Sequence, residues 1–162
     1  MKLLVPVDGS VAAYRAVAHA LWLAQGRPNS RVVLLNVQNR ETLGLSDVDV
    51  RKHDEGEIAS RRSQKVLRRA INACEASGTS FDARAELGPT CATIIRLAHE
   101  IHADQIVMGT RGLGRVSGLL LGSVATAVVH AADIPVTLVK KSMRPPSIKR
   151  AELGNEAAAV RT

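Results

Sequence analysis

Short apolar runs punctuate the chain, and most of the segments between them carry apolar residues at helical spacing. The first run, Lys2 to Val7, ends at Asp8-Gly9-Ser10, a turn signal followed by a helix cap. From Val11 to Gln25 the positions Ala13, Val17, Leu21 and Ala24 recur at three and four residues, which predicts a helix with one buried face. Gly26, Pro28 and Asn29 stop it. Arg31 to Val37 is a nearly continuous apolar run of strand length, as expected where helices cover both faces of a parallel sheet. Gln38 to His53 has no sustained period and reads as a loop. Asp54 to Ser77 returns to helical spacing through Ile58, Val66, Leu67, Ala70, Ile71 and Cys74, with Arg61, Arg62, Lys65, Arg68 and Arg69 making a basic outer side. The pattern then predicts a strand over Phe81 to Leu87, a helix over Thr90 to His102 and a strand over Gln105 to Gly109. A helix over Ser123 to Ala131 and a strand over Val136 to Lys140 complete it.

Strict alternation of strand and helix implies an α/β domain with a parallel sheet, and right-handed crossovers leave few topologies. A single five-stranded doubly wound sheet with helices on both faces is the expected fold. Ligands of such sheets bind beyond the carboxyl ends of the strands, where the winding direction reverses.

The connection after the fourth strand carries the most chemistry. Gly109-Thr110-Arg111-Gly112 is followed by nine residues and then Gly122-Ser123, so a glycine-bearing loop joins a strand to a helix. Glycines permit positive φ and let a ligand approach the backbone. The first amides of a helix are unpaired donors at the positive end of its dipole, and together these features hold an anion. Ser123 stands where a helix N-cap would, able to cap its own helix or to bond a phosphate oxygen.

The G-x-x-G-x9-G-S spacing, the early V-P-V-D-G-S and the closing I-P-V-T-L-V resemble the universal stress protein family, and more narrowly its ATP-binding branch, over about residues 1 to 140. The resemblance implies strand order 3-2-1-4-5, as in the adenine nucleotide alpha-hydrolase-like fold. It also implies ATP as ligand, with magnesium or manganese carried mainly by the phosphates. Gly109, Gly112, Gly122 and Ser123 would then surround the phosphates, and Val124 would add an amide. Asp8 would accept from ribose hydroxyls, Pro6 and Val7 would line the base pocket, Val37 would meet adenine through its main chain, and Met108 would pack against the nucleoside. Family members commonly dimerise through the last strand, here Val136 to Lys140. The function implied is a nucleotide-dependent switch in stress response with at most slow ATP hydrolysis. The alternative is the family's other branch, a nucleotide-independent dimeric interaction module, whose members lack the glycine motif. Ala125 departs from the pattern of those ATP-binding members that place a hydroxyl there.

Each of these residues also has a structural role open to it. The glycines suit a tight turn, Asp8 suits a turn or N-cap, and Met108 suits the core. Arg111 and Arg115 suit either phosphate or solvent. The loop has no G-x-x-x-x-G-K-[ST], and the first turn has no G-x-G-x-x-G, which disfavours P-loop NTPases and dinucleotide enzymes. No residue stands out as a general base for water, so no catalytic residue is assigned. His99 and His102 on one predicted helix, with Glu100 between, lack the H-E-x-x-H spacing of a zinc site, so no side-chain metal site is assigned.

The chain has 162 residues, 46% hydrophobic and 23% charged, which suits one domain over residues 1–141 followed by a flexible basic tail over 142–162. No apolar run approaches the roughly 18 to 20 residues of a membrane span. Pro6 and Asp8 interrupt the first run too early for a signal-peptide core. Cys74 and Cys91 have neither C-x-x-C spacing nor disulfide-scaffold density, which suits a reducing compartment and predicts a cytoplasmic protein. The net charge of +7 invites a nucleic-acid reading. Yet over half the excess lies from Lys140 onward, and Tyr14, Trp22 and Phe81 are the only aromatic residues, too few for base stacking. A nucleic-acid partner is therefore not expected.

Overall fold

Alternation along the strands decides where the two cores lie. Leu3, Val5, Val32 and Leu34 point to one face of the sheet, while Leu4, Val33 and Leu35 point to the other. All but Val33 are wholly buried, so the strands are apolar on both sides and need helices over each.

The computed structural model describes residues 1–39, 55–112 and 121–143. The strands are β1 (Lys2–Pro6), β2 (Arg31–Gln38), β3 (Ser80–Leu87), β4 (Gln105–Gly109) and β5 (Val136–Val139). The helices are α1 (Val11–Ala24), α2 (Glu55–Ser77), α3 (Thr90–Glu100) and α4 (Ser123–Ala131). The five strands are all parallel, in the order β3-β2-β1-β4-β5. The expected doubly wound topology is therefore present. The part of the predicted loop beyond Asn39, the part of the predicted tail beyond Met143, and Arg115 lie outside the described residues.

One face is covered by α1 and α2. Ala13, Ala16, Val17, Ala20 and Leu21 of α1 join Leu67, Ala70 and Cys74 of α2 against Leu3, Val5 and Leu34. The Tyr14 hydroxyl donates to the Val66 carbonyl at 2.9 Å, and the Arg69 guanidinium lies 4.6 Å from the Tyr14 ring centre, so one aromatic residue ties the two helices together. Burial pushes the Cys74 thiol up to about 12, with Glu75 adding to the shift, which makes Cys74 an apolar core group. The opposite face is covered by Ile94, Leu97 and Ala98 of α3 and Ala125 and Val128 of α4.

Local signals explain the boundaries. Ser10 caps α1, its hydroxyl oxygen accepting from Ala13 N at 3.1 Å. The helix expected to reach His102 ends at Glu100 instead. His102 has φ +49°, its amide donates to the His99 carbonyl at 3.0 Å, and the Ala103 amide donates to the Ala98 carbonyl at 2.8 Å. That is a Schellman stop with histidine in the position glycine usually takes. The edge strand β3 is protected by charge: Asp82 pairs with Arg31 at 2.8 Å, and Arg84 pairs with Glu100 at 3.0 Å. These exposed pairs add little stability but discourage a further strand from joining.

Candidate functional site

The sheet opens between β1 and β4. Their pairing ends at Leu4↔Ile106 although β1 runs on to Pro6, which has no N–H to continue a ladder. On the other side β1 stays paired with β2 as far as Pro6↔Leu35, and the Val7 amide donates to the Leu35 carbonyl at 2.7 Å. The strands thus diverge at the reversal of winding direction, and a cleft of about 780 Å³ lies there. This volume is in the range of small-molecule sites.

All ten residues singled out from the sequence line this one cleft. Pro6, Val7 and Asp8 come from the end of β1, Val37 from β2, Met108 and Gly109 from β4, Gly112 from the loop, and Gly122, Ser123 and Val124 from the start of α4. Sequence reasoning missed Leu35, Thr90 and Ile94, which wall the cleft on the α3 side, and Thr126 and Ala127 one turn into α4. Met108 is both core and wall: it is buried in the second core and borders the cleft.

The motif glycines act by proximity and not by left-handed backbone. None of Gly109, Gly112 and Gly122 adopts the positive φ that glycine permits; Gly9, beside Asp8, does so at φ +89°. A β-carbon on Gly109 would lie 2.8 Å from Ala12 Cβ and 2.9 Å from the Ala12 backbone, because α1 crosses β4 there. A β-carbon on Gly112 would overlap Asp8 Oδ2. Gly122 has no such crowding; its amide donates to the Thr110 carbonyl at 2.8 Å and closes the two ends of the loop.

The expectation for Ser123 needs correcting. Gly122 is the N-cap of α4 and Ser123 is the first helical residue, so the cap residue itself has no side chain to cap this helix. The Thr126 amide makes the first helical bond, to the Gly122 carbonyl at 2.9 Å. Helix geometry therefore leaves the amides of Ser123, Val124 and Ala125 without an intrahelical acceptor, at the positive end of the dipole and at the cleft wall. A true N-cap serine would have used one of them.

Asp8 has a structural duty: its Oδ1 accepts from Ser10 N at 2.9 Å, which shapes the turn into α1. Its Oδ2 faces Gly112 across the mouth of the cleft. Behind this turn lies a buried polar cluster that the sequence reading passed over. Asn36, Gln38 and Ser63 are all buried. Asn36 Nδ2 donates to the Val7 carbonyl at 2.6 Å, while Asn36 Oδ1 accepts from Ser63 Oγ at 2.8 Å and Gln38 Nε2 at 2.6 Å. A signal was available, since Ser63 lies four residues before Leu67 on the apolar face of α2.

The two histidines do not share a helix face, because His102 is beyond the end of α3. His99 Nε2 instead lies 2.8 Å from Asp133 Oδ1. Among the described residues no group of three histidine, cysteine or carboxylate side chains is placed to hold a metal ion. Nor, among them, is any helix long and apolar enough to cross a membrane. Trp22 is well exposed, whereas Tyr14 and Phe81 pack against the first core, so the three aromatic rings form no common surface.

A family model described as the universal stress protein family matches residues 1–140. Among curated proteins, the chain is 29% identical over 140 residues to universal stress protein MJ0531 of Methanocaldococcus jannaschii, covering 86% of this chain and 82% of that one. It is 30% identical over 146 residues to a putative universal stress protein of Staphylococcus aureus strain USA300, covering 89% and 86%. Among solved structures, the hypothetical protein MJ0577 superposes with a TM-score of 0.76 at 24% identity, covering 90% of this chain and 97% of that one. A universal stress protein in complex with cAMP superposes with a TM-score of 0.62 at 25% identity, covering 88% and 98%.

Proposed function

The chain belongs to the universal stress protein family, and from that premise we propose that it binds an adenine nucleotide, ATP in the first place, in the cleft between β1 and β4 as a stress-response switch. The observation that carries this reading is the uncapped start of α4. Three amides, those of Ser123, Val124 and Ala125, stand at the wall of a cleft that Asp8 and Val37 also border. An anion at that helix end takes bonds that the helix geometry leaves open.

The rest of the cleft suits the rest of a nucleotide. Pro6, Val7, Leu35 and Met108 offer apolar walls to a base, and Asp8 offers acceptor oxygens to ribose hydroxyls. The related structure in complex with cAMP supports an adenine ligand for the family fold. Magnesium or manganese would travel with the phosphates and keep most of its waters, since among the described residues the cleft wall supplies one carboxylate, that of Asp8. Such an ion neutralises phosphate charge. Among the described residues no side chain of the wall is arranged as a general base for water, and we expect slow turnover at most.

Occupancy would alter a contact with a partner. The partner surface we favour is the β5 edge of a second copy of the chain, because β5 is a terminal strand of the sheet. We place the domain at residues 1–141 and the protein in the cytoplasm, with the basic residues from 142 onward as a tail. Isothermal titration with ATP, AMP and cyclic AMP, with and without magnesium, tests the ligand. Sizing chromatography of the same samples tests the switch. Saturable ATP binding that changes the elution volume supports both parts. Absence of binding at millimolar ATP favours the nucleotide-independent module instead.

A further inference from the structure

The β1–β2 ladder stops one rung early, and a side-chain amide stands where the next rung would be. Its rungs are visible at both ends: the Arg31 amide donates to the Met1 carbonyl at 2.8 Å, and the Val7 amide donates to the Leu35 carbonyl at 2.7 Å. In a parallel ladder alternate residues of one strand serve the same neighbour. Arg31, Val33, Leu35 and Val37 therefore face β1, and the next rung would run from the Val37 amide to the Val7 carbonyl. Among the described residues that bond is not made. The Val7 carbonyl takes the Asn36 side-chain amide at 2.6 Å instead. The orientation of that amide is forced, since a carbonyl accepts only from the nitrogen. Ser63 Oγ and Gln38 Nε2, both donors to Asn36 Oδ1, hold it from the far side.

We propose that Asn36 is a positioning residue: by satisfying the Val7 carbonyl it keeps the Val37 backbone out of the sheet and open to the cleft. Val37 is half-buried and borders that cleft, so its N–H and C=O form an adjacent donor and acceptor on the wall. Such a pair matches a base edge that offers an acceptor beside a donor, as the N1 and 6-amino groups of adenine do. The role in ligand binding rests on the nucleotide reading above; the role in the ladder does not. Because Ser63 belongs to α2, the arrangement also makes the seating of that helix a condition for an open base site.

Amide hydrogen exchange followed by NMR tests this. In the nucleotide-free wild type, Val37 exchanges at least about a hundredfold faster than Leu35, whose amide lies inside the ladder. The double substitution Asn36→Leu with Ser63→Ala removes the Asn36 amide together with the Ser63 hydroxyl that donates to it, so that one of its two donors is not left behind, while Gln38 loses one acceptor. In that protein Val37 becomes slow and Mg-ATP binds about tenfold more weakly, as expected for one lost hydrogen bond. Ser63→Ala alone retains the Asn36 donor, and Val37 stays fast. Slow exchange of Val37 in the wild type overturns the proposal even if the double variant fails to fold. So does fast exchange in the folded double variant. If exchange behaves as described but the wild type does not bind Mg-ATP, the nucleotide reading fails and the assignment of Asn36 stands.

Discussion

Gly112 lies so close to Asp8 that a β-carbon at residue 112 would occupy the space of Asp8 Oδ2. The first strand and the glycine loop therefore meet through a carboxylate and a bare backbone, and each limits the other. Asp8 cannot move inward without meeting the loop, and its other oxygen is held by Ser10 N at 2.9 Å.

Gly112→Ala displaces Asp8 from the mouth of the cleft while touching no core residue. We expect nucleotide affinity to fall by about tenfold or more, with the unfolding midpoint within about 2 °C of wild type. Calorimetric titration and thermal unfolding of the variant check both parts. A full loss of stability would assign Gly112 to the fold instead.

Gly109→Ala behaves in the opposite way. The added methyl meets Ala12 Cβ at 2.8 Å and the Ala12 backbone at 2.9 Å, so strand or helix must shift to admit it. The cost expected for such overpacking is about 1 to 3 kcal/mol. Urea unfolding should show a lower midpoint with an unchanged slope. A neutral result would mean that α1 shifts freely over β4.

The contrast between these glycines bears on what the sequence shows. The spacing of Gly109, Gly112 and Gly122 marks a loop where backbone approaches something closely, and all three border the cleft. What each approaches is invisible along the chain, because Ala12 and Asp8 arrive from the other end of it. Apolar runs in β1, β2 and β4 were legible because both faces of those strands are buried. The end of α3 was not, since His102 takes a left-handed conformation that its residue type does not announce. The Asn36–Ser63 bond joins residues 27 apart across two elements, and only the polar interruption of two apolar faces hinted at it.

Cys74 should be inert until the protein unfolds. Its thiol is buried and held near 12, so almost no thiolate exists at pH 8. Mass spectrometry after iodoacetamide treatment should find Cys74 unmodified in native protein and fully modified in denaturant. Native-state labelling at the rate of a free thiol would contradict the packing of α2 on the sheet.

The contact of His99 with Asp133 gives a pH signature. The hydrogen bond from His99, then the backbone bond at Asp133 itself, hold the Asp133 carboxyl below the usual aspartate range. A depressed carboxyl contributes stability above its unfolded value, and loses it as pH falls through the lower folded value. Both side chains are exposed, so the gain is small. Carbon-detected NMR titration should place the Asp133 midpoint below that of a model aspartate, and His99→Ala should raise it. An unchanged midpoint in the variant would remove the pairing from the account.

The central claim is that the cleft between β1 and β4 holds an adenine nucleotide through the open start of α4. Mass spectrometry of ligand released from freshly purified protein, followed by Mg-ATP titration beside the Gly122→Val, Ser123→Ala double variant, tests it most directly. The account predicts adenine nucleotide released from, or saturably bound by, the wild type, and neither in the folded variant. Equal binding by both proteins, or none by the wild type at millimolar ATP, would contradict it.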